Sequence, residues 1–253
     1  MSERRCGPAR RLAGLVLAVP VSVLLAQAPS GADVLRRVDE NMFAHSRIVA
    51  SQMIIHGRRD TRTIEAKSWQ RGTADAFTEY LAPAREQGTK MLKLGGDLWT
   101  YAPSTDRIIM ISGSMLRQSV MGSDLSYEDM MEDPRLDRDY AATVSGTDTV
   151  DARSCWVVDL RATHEGLANE TRKLWVDRER FVPLREDLFA KSGRLLKTMR
   201  LSDVVRIEGR WVPRHMVYKD VLKEGEGTEF VIVSVEFDPA IPDYLFSKAA
   251  LRK

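Results

Sequence analysis

The segment from Ser112 to Glu132 reads SGSMLRQSVMGSDLSYEDMME, and its length and composition decide how the rest of the chain is interpreted. It follows a strand-like run, Arg107–Ile111, and ends at a break that contains Pro134. Hairpin loops usually have about two to five residues, so this segment is too long for a tight connection between strands. It is also rich in large apolar side chains, namely Met115, Leu116, Val120, Met121, Leu125, Tyr127, Met130 and Met131.

A long apolar insertion between strands is either a plug buried in a core or a lid over a cavity. Four of the eleven methionines of the chain lie in this segment. Methionine is flexible and polarisable, and it suits surfaces that fit varied apolar shapes. We therefore interpret residues 112–132 as a lid, with Gly113 and Gly122 as candidate hinges. Ordinary turn chemistry accounts for the same two glycines equally well.

Residues 1–28 have the pattern of a secretory signal peptide. Four arginines precede the apolar run Leu12–Leu25, and Ala26-Gln27-Ala28 offers a cleavage site, with cleavage after Ala32 as the alternative. The apolar run is shorter than the roughly 20 residues that a membrane-spanning helix needs. The sequence thus predicts an exported protein with a single domain over residues 33–253.

The charge and cysteine content of the chain change once residues 1–28 are removed. That segment holds four arginines and one glutamate, so 34 basic and 35 acidic residues remain. The pI of about 8.5 therefore reflects the signal peptide, and the charge gives no reason to expect nucleic acid as a partner. Cys155 is left as a single cysteine, which predicts a buried apolar side chain and no intramolecular disulfide.

The periodicity of the sequence predicts one helix followed by many short strands. In the helix, Ala32–Phe43, the side chains of Leu35, Val38 and Met42 share one face, and Asp33 is a candidate cap. The period then changes to two, with polar or glycine-containing connectors between the apolar runs. The predicted strands are Arg47–His56, Thr61–Arg71, Asp75–Leu81, Gly88–Leu94, Leu98–Tyr101, Arg107–Ile111, Tyr140–Thr147, Cys155–Ala162, Asn169–Asp177, Leu184–Phe189, Leu195–Ile207, Trp211–Asp220 and Gly227–Phe237.

These elements predict a mainly β (α+β) fold built on one antiparallel meander sheet, because short connectors cannot carry parallel crossovers. One face of the sheet should be wet and the other covered. Only the first helix, the lid and a helical tail over Tyr244–Leu251 are available as cover. A strongly curved sheet with these helices across its concave side would allow so few helices to cover one whole face. The concave space is then a packed core or a cavity for an apolar ligand, and the lid favours the cavity.

The ten residues Met121–Met130, MGSDLSYEDM, resemble a motif of the outer-membrane lipoprotein-sorting proteins, which are relatives of the periplasmic LolA- and LolB-like lipoprotein carriers. The runs Trp99–Pro103, Arg107–Ile109 and Ile241–Phe246 are similar to the same branch. The resemblance covers essentially the whole chain after the signal peptide. The motif positions are Gly122, Ser123, Asp124, Ser126, Tyr127, Glu128 and Asp129.

The resemblance implies an incomplete antiparallel β-barrel, closed by a few helices, whose apolar cavity shields acyl chains. It implies a periplasmic location in a Gram-negative-type envelope. The implied partners are lipid or lipoprotein acyl chains, an inner-membrane transporter and an outer-membrane acceptor. The key arginine of the carriers has no secure match here, so the cargo stays open between lipoprotein, phospholipid and another hydrophobic molecule. The lid residues expected to contact lipid are Met115, Leu116, Val120, Met121, Leu125, Tyr127 and Met130.

The sequence gives little support to catalysis. It contains neither a G-x-S-x-G nucleophile elbow nor an H-E-x-x-H zinc motif. The four histidines, His45, His56, His164 and His215, have no metal-like spacing. Ser126 or Asp124 is better interpreted as the cap of a short helix, Tyr127–Met131, than as a catalytic group. We expect a carrier with no catalytic residue, metal or cofactor. The alternative is a non-catalytic envelope docking module that works with an inner-membrane export pump, and a hydrolase is less favoured.

Overall fold

The computed structural model describes residues 28–57, 60–132 and 135–253, so the predicted signal peptide lies outside the description except for its last residue. Within these parts of the chain the fold is mainly β. The strands are β1 (Ser46–His56), β2 (Thr61–Arg71), β3 (Asp75–Ala82), β4 (Lys90–Leu94), β5 (Asp97–Ala102), β6 (Arg107–Ile111), β7 (Tyr140–Val150), β8 (Arg153–Ala162), β9 (Thr171–Asp177), β10 (Pro183–Phe189), β11 (Leu195–Ile207), β12 (Arg210–Asp220) and β13 (Thr228–Phe237).

Short helices complete the fold, and none among the described residues combines the length and the hydropathy that crossing a membrane requires. The α-helices are α1 (Gly31–Met42), α2 (Tyr127–Met131) and α3 (Leu136–Asp139). The 3-10 helices are Gly113–Arg117, Val120–Gly122, Asp243–Phe246 and Lys248–Arg252. The sequence did not predict α3, and it predicted one helical tail where two 3-10 helices follow each other.

Each predicted strand is a strand in the structure, and the largest boundary error falls on the β7–β8 hairpin. The sequence suggested a polar connector over residues 148–153, whereas the strands run on to Val150 and resume at Arg153. The two turn residues, Asp151 and Ala152, both have positive φ, 46° and 60°. Such two-residue turns normally carry Asn or Gly. Because neither residue occurs at these two positions, the sequence did not indicate a tight hairpin here.

The thirteen strands form one antiparallel sheet that does not close. Strands β1–β6 form one meander and β7–β13 a second, and β1 pairs with β13 in the middle of the sheet. Consecutive pairing, as the sequence predicts, therefore holds except between β6 and β7, which lie at opposite edges. The lid and α3 connect those two edge strands, so the chain crosses the mouth of an incomplete barrel at this point.

The strand register shows which residues share one face of the sheet across all thirteen strands. We call this face the inner face. Residues directly opposite each other on paired strands point to the same side. A continuous path of such pairs and same-face neighbours runs through Val144, Val158, Leu174, Glu186, Met199, Tyr218, Thr228, Phe230, Met53, Ile64, Ala66, Tyr80, Thr78, Met91, Lys93, Leu98 and Ile111. Helix α1 and the lid both cover this inner face.

Helix α1 covers the β7–β9 end of the inner face. Its Val34, Leu35 and Val38 are buried against a cluster that includes Val158 and Leu174. The predicted apolar face is thus confirmed, but the predicted cap is wrong. Ser30 is the N-cap residue, and its hydroxyl accepts a hydrogen bond from the backbone N–H of Asp33.

The C-terminal tail packs on the outer face, which corrects the expectation that it crosses the concave side. Ala250 and Leu251 are buried with Leu92 and Trp99, whose neighbours Met91 and Leu98 belong to the inner face. A second outer cluster contains the buried Cys155, as predicted for a single cysteine. The outer face is therefore apolar near both ends of the sheet, with Trp99 in the first cluster and Trp175 in the second.

Candidate ligand groove and its lid

Between α1 and the lid, the inner face of β9–β13 carries an open groove of about 280 Å³. This volume is close to the lower end of the range for small-molecule pockets, about 300–1,000 Å³. The groove is lined by Leu125, Asp129, Glu132, Arg172, Glu186, Leu188, Met199, Met216, Tyr218 and Phe230. Strand residues form its floor, and residues of the lid form one wall.

The floor of the groove is apolar and adaptable. Leu188 is buried, whereas Met199, Met216 and Phe230 are partly exposed. They come from four neighbouring strands, β10 to β13, and the lid adds Leu125. Unbranched methionine side chains rotate to fit irregular apolar shapes, so this floor suits a flexible hydrocarbon chain better than a rigid polar ligand.

One end of the groove contains a buried ionic cluster centred on Arg172. Its Nη1 donates to Glu186 Oε1 at 2.9 Å, and its Nη2 donates to Glu132, which also accepts from Asn169 at 3.0 Å. The side chains of Arg172 and Glu186 are only 7% and 6% exposed. Burial opposes the charge on Arg172, but the two carboxylates outweigh burial and raise its pKa. The guanidinium is therefore a permanent cation held between two acids.

An ion pair ties the lid to β11 at the wall of the groove that the lid residues form. Asp129 Oδ2 lies 2.6 Å from Lys197 Nζ, and it also accepts from the backbone N–H and the hydroxyl of Ser126. The N–H of Asp129 donates in return to Ser126 Oγ, which completes a capping box on α2. Burial would raise the pKa of Asp129, but the Lys197 and Ser126 hydrogen bonds prevail and lower it. The capping role predicted for Ser126 is thus confirmed.

The first half of the motif ties the lid to the β12–β13 turn. Asp124 Oδ1 accepts from the backbone N–H of Asp220 at 3.0 Å, and its Oδ2 accepts from the Thr228 hydroxyl at 3.0 Å. Lys223 Nζ donates to the carbonyl oxygen of Ser123 at 2.7 Å. These contacts assign the polar motif residues to docking of the lid on the sheet. Glu128 lies in the first turn of α2, where an acidic side chain is favourable.

Apart from the buried Val120, the structure places the predicted lipid-contacting residues in two groups. Leu125 alone among them lines the groove. Val120 is buried at 2% exposure. The remaining residues pack on the inner face of β1–β6, or line the cavity described next: Met115, Leu116, Met121, Tyr127 and Met130. In this closed arrangement the lid fills the space beneath itself, so a lipid role for that second group stays a prediction that requires the lid to lift.

A second, polar cavity of about 320 Å³ lies on the other side of α2. It shares Asp129 and Glu132 with the groove, and Arg47, Asp75 and Lys93 are among its other lining residues. Lys93 Nζ donates to the carbonyl oxygen of Met131 at 3.1 Å, which is favourable at the C-terminal end of a helix. Helix α2 is therefore a partition between an apolar space and a polar one.

The two glycines proposed as hinges both have positive φ, 56° at Gly113 and 78° at Gly122. That conformation is accessible to glycine at little cost. Gly122 is also held from both sides, because Arg62 Nη2 donates to the carbonyl oxygen of Met121 at 2.8 Å and Ser123 N–H donates to Val120. Turn geometry explains both glycines, and a hinge role stays a prediction.

Among the described residues, no group of three or more His, Cys, Asp or Glu side chains could hold a metal ion. His56 and His215 lie 2.5 Å and 2.6 Å from the two oxygens of Glu229. His164 lies 3.2 Å from Asp139. These histidines make hydrogen bonds to partly exposed carboxylates, in line with the interpretation of solvated imidazoles made from their spacing.

Comparison with known proteins supports the fold and says less about activity. A family model described as "Uncharacterized protein" matches residues 72–253, which is more than half of the chain. The chain belongs to this family. Among curated proteins, none matches.

Three solved structures share the fold of this family member. A domain described as outer membrane lipoprotein-sorting, from Vibrio parahaemolyticus, superposes with a TM-score of 0.76 at 19% identity, covering 88% of this chain and 98% of that one. A DUF1329 family protein from Desulfovibrio piger gives 0.76 at 26%, covering 87% and 97%. A LolA superfamily protein from Nitrosomonas europaea gives 0.73 at 24%, covering 88% and 100%. The resemblance expected from residues 121–130 is thus confirmed at the level of the fold.

Most of the groove residues were not predicted from the sequence. Arg172, Glu186, Met199, Met216 and Phe230 lie in predicted strands, and no motif marks them as members of a site. The sequence does contain a signal for the two charged residues. Arg172 is two positions from the buried Leu174, and Glu186 is two positions from the buried Leu188. Side chains two apart on a strand share a face, so these charges had to lie on the covered side.

Proposed function

We propose that this protein is a non-catalytic periplasmic carrier that holds an acyl chain in the groove between α1 and the lid. The single observation that carries this proposal is the apolar floor of Leu188, Met199, Met216 and Phe230, which lines an open groove on the inner face of the sheet. Each CH₂ group moved from water into such a floor contributes about 0.8 kcal/mol. A chain of modest length therefore gains useful affinity without directional contacts.

The architecture supports reversible loading. Polar ties hold the lid on the sheet, among them those of Asp124 to β12–β13 and of Asp129 to Lys197. Breaking them would uncover the methionines that now pack under the lid, and would enlarge the apolar surface available to cargo. The solved relatives described as outer membrane lipoprotein-sorting and as LolA superfamily agree with such a role. By the same analogy we propose an inner-membrane transporter as donor and an outer-membrane protein as acceptor.

The carrier proposal is tested by lipid binding with the groove open and blocked. Native mass spectrometry of the purified protein is expected to show co-purifying lipid, and a pyrene-labelled dodecanoyl methyl ester is expected to bind. Met216→Trp fills the groove and is expected to weaken ester binding about tenfold, the equivalent of about two CH₂ contacts. Met110→Trp is the matched control, because Met110 lies on the outer face of β6 and is 46% exposed. Absence of ester binding by the parent protein contradicts the proposal.

A docking module is the second candidate, and one observation favours it. Strand β6 is an edge of the sheet, and its Ile109 and Met110 are 41% and 46% exposed. An apolar edge strand is a template for pairing with another chain. A protein that is free of lipid after purification, and that takes up no ester, would favour this candidate.

A further inference from the structure

The side chains that line the groove carry unequal numbers of acidic and basic groups, and the inference drawn from them rests on the proposed function. Three carboxylates line the groove, those of Asp129, Glu132 and Glu186, against the single guanidinium of Arg172. Lys197 forms an ion pair with Asp129 and neutralises the charge of that carboxylate. The groove wall therefore keeps one negative charge in excess.

The positive charge of Arg172 is not available to an anionic ligand. Its two terminal nitrogens already donate to Glu186 and Glu132. An anion that approached this end of the groove would meet two acids for one cation, in a partly buried place where charges are weakly screened. Two further cations, Arg47 and Lys93, line the polar cavity on the other side of α2.

One donor at this end is left over. The Nε–H of Arg172 is buried and has no hydrogen-bond partner among the described residues. A buried donor without a partner costs free energy, typically about 1–3 kcal/mol. An ester carbonyl oxygen reaches this donor only if the surrounding side chains shift, but it adds no negative charge, whereas a carboxylate or phosphate adds charge to a site that already holds an excess.

We propose that the groove selects amphiphiles whose head is uncharged or cationic where it meets Arg172, such as esterified acyl chains, and rejects anionic amphiphiles such as free fatty acids. The hydrocarbon chain lies on the methionine floor, and the first polar group of the ligand reaches the Arg172 end. Selection arises from the excess carboxylate, so it acts on the head and not on the length of the chain.

The test uses three probes that share one pyrene-labelled dodecyl chain and differ only in the head. The heads are a methyl ester, a trimethylammonium cation and a sulfate anion, and the last two stay charged at every working pH. Fluorescence titration at low salt is expected to show that the cation binds on the order of tenfold more tightly than the anion. The ester is expected to bind as well, and the gap between cation and anion is expected to narrow as salt is added.

Two Glu→Gln variants distinguish an effect of the charge in the groove from an effect of the net charge of the protein. Glu132→Gln removes the excess acid, keeps an oxygen for Arg172, and is expected to reduce the cation-to-anion ratio about threefold or more. Glu128→Gln is the matched control, since Glu128 lies in α2, which ends directly before Glu132, but does not line the groove. Equal effects of the two variants would overturn the proposal.

The probes also distinguish failure of this inference from failure of the carrier function. If the ester binds but the anion binds as tightly as the cation, the carrier function stands and the charge selection is wrong. If none of the three probes binds, both the carrier function and the charge selection are overturned.

Discussion

Asp129 of the lid and Lys197 of β11 form an ion pair with 2.6 Å between carboxylate oxygen and ammonium nitrogen, and the Asp129 side chain is only 4% exposed. The two residues are 68 positions apart in the chain. The pair therefore joins the connection between the two meanders to the centre of the sheet. Because it also forms one wall of the groove, its strength decides both the stability of the closed lid and the shape of the site.

Lys197→Met is expected to lower the free energy of unfolding by about 3 kcal/mol, because it leaves the buried Asp129 carboxylate without its cation. Urea denaturation followed by tryptophan fluorescence measures this loss. Adding Asp129→Asn to Lys197→Met is expected to recover part of it, since the unpaired charge is then removed. Lys191→Met, at an exposed turn, serves as the control. A loss of the same size in that control would show that the effect does not come from the ion pair.

Asp124→Ala is expected to loosen the tip of the lid and to cost about 2 kcal/mol. It leaves the hydroxyl of the fully buried Thr228 and the N–H of Asp220 without their acceptor. Hydrogen exchange is expected to increase in residues 112–132 more than in α1. The control is Asp97→Ala, in the exposed β4–β5 turn, with an expected change within about 0.5 kcal/mol. Unchanged exchange in the lid would contradict the assignment of Asp124 as its tie.

The strands were predictable because two-residue periodicity and polar connectors are local signals. Arg107–Ile111 and Leu195–Ile207, for instance, have the predicted bounds. The pairing of β1 with β13 was not predictable in the same way, since no local pattern records which strands meet across a gap of almost the whole domain. The prediction that the C-terminal tail covers the concave face was wrong for a related reason. The apolar Trp99 and the apolar Leu98 point to opposite sides, and the sequence does not say which side is concave.

The site was predicted in outline only. The lid was found because an apolar segment of its length is unusual between strands, and the cap at Ser126 follows from local chemistry. The groove beside the lid was not found, because its floor combines single residues from four strands that are distant in sequence. The role of Asp124 needed its partners on β12 and β13, which only the folded chain brings to the lid.

Gly31→Ala is expected to displace the start of α1 and to lower the free energy of unfolding by about 2 kcal/mol. A Cβ atom at Gly31 would lie 2.3 Å from the carbonyl oxygen of Ala142 on β7, and backbone on both sides leaves little room to move. Gly146→Ala on the same strand is the control, because nothing lies within 4 Å of its added Cβ. Urea denaturation of both variants tests this close approach, and equal stabilities would contradict it.

Asp39→Asn is expected to remove a pH-dependent loss of stability at the contact between α1 and α3. Asp39 is 5% exposed, and burial, together with the nearby carboxyl of Asp137, raises its pKa from 3.8 to about 7. The folded state therefore holds a proton that the unfolded state releases near pH 3.8. Stability falls as the pH rises between these two values, by at most about 1.4 kcal/mol per pH unit, and the loss is constant above them.

The Asn side chain stays neutral, so Asp39→Asn is expected to match the parent near pH 4 and to exceed it in stability at about pH 8. Urea denaturation across this range measures the difference between the two proteins, in which other titrating groups cancel. Glu40→Gln is a control on the exposed side of the same helix, where Glu40 pairs with Arg36 in water, and its difference from the parent is expected to stay small. A difference between Asp39→Asn and the parent that does not grow with pH would show that Asp39 is ionised in the folded protein throughout.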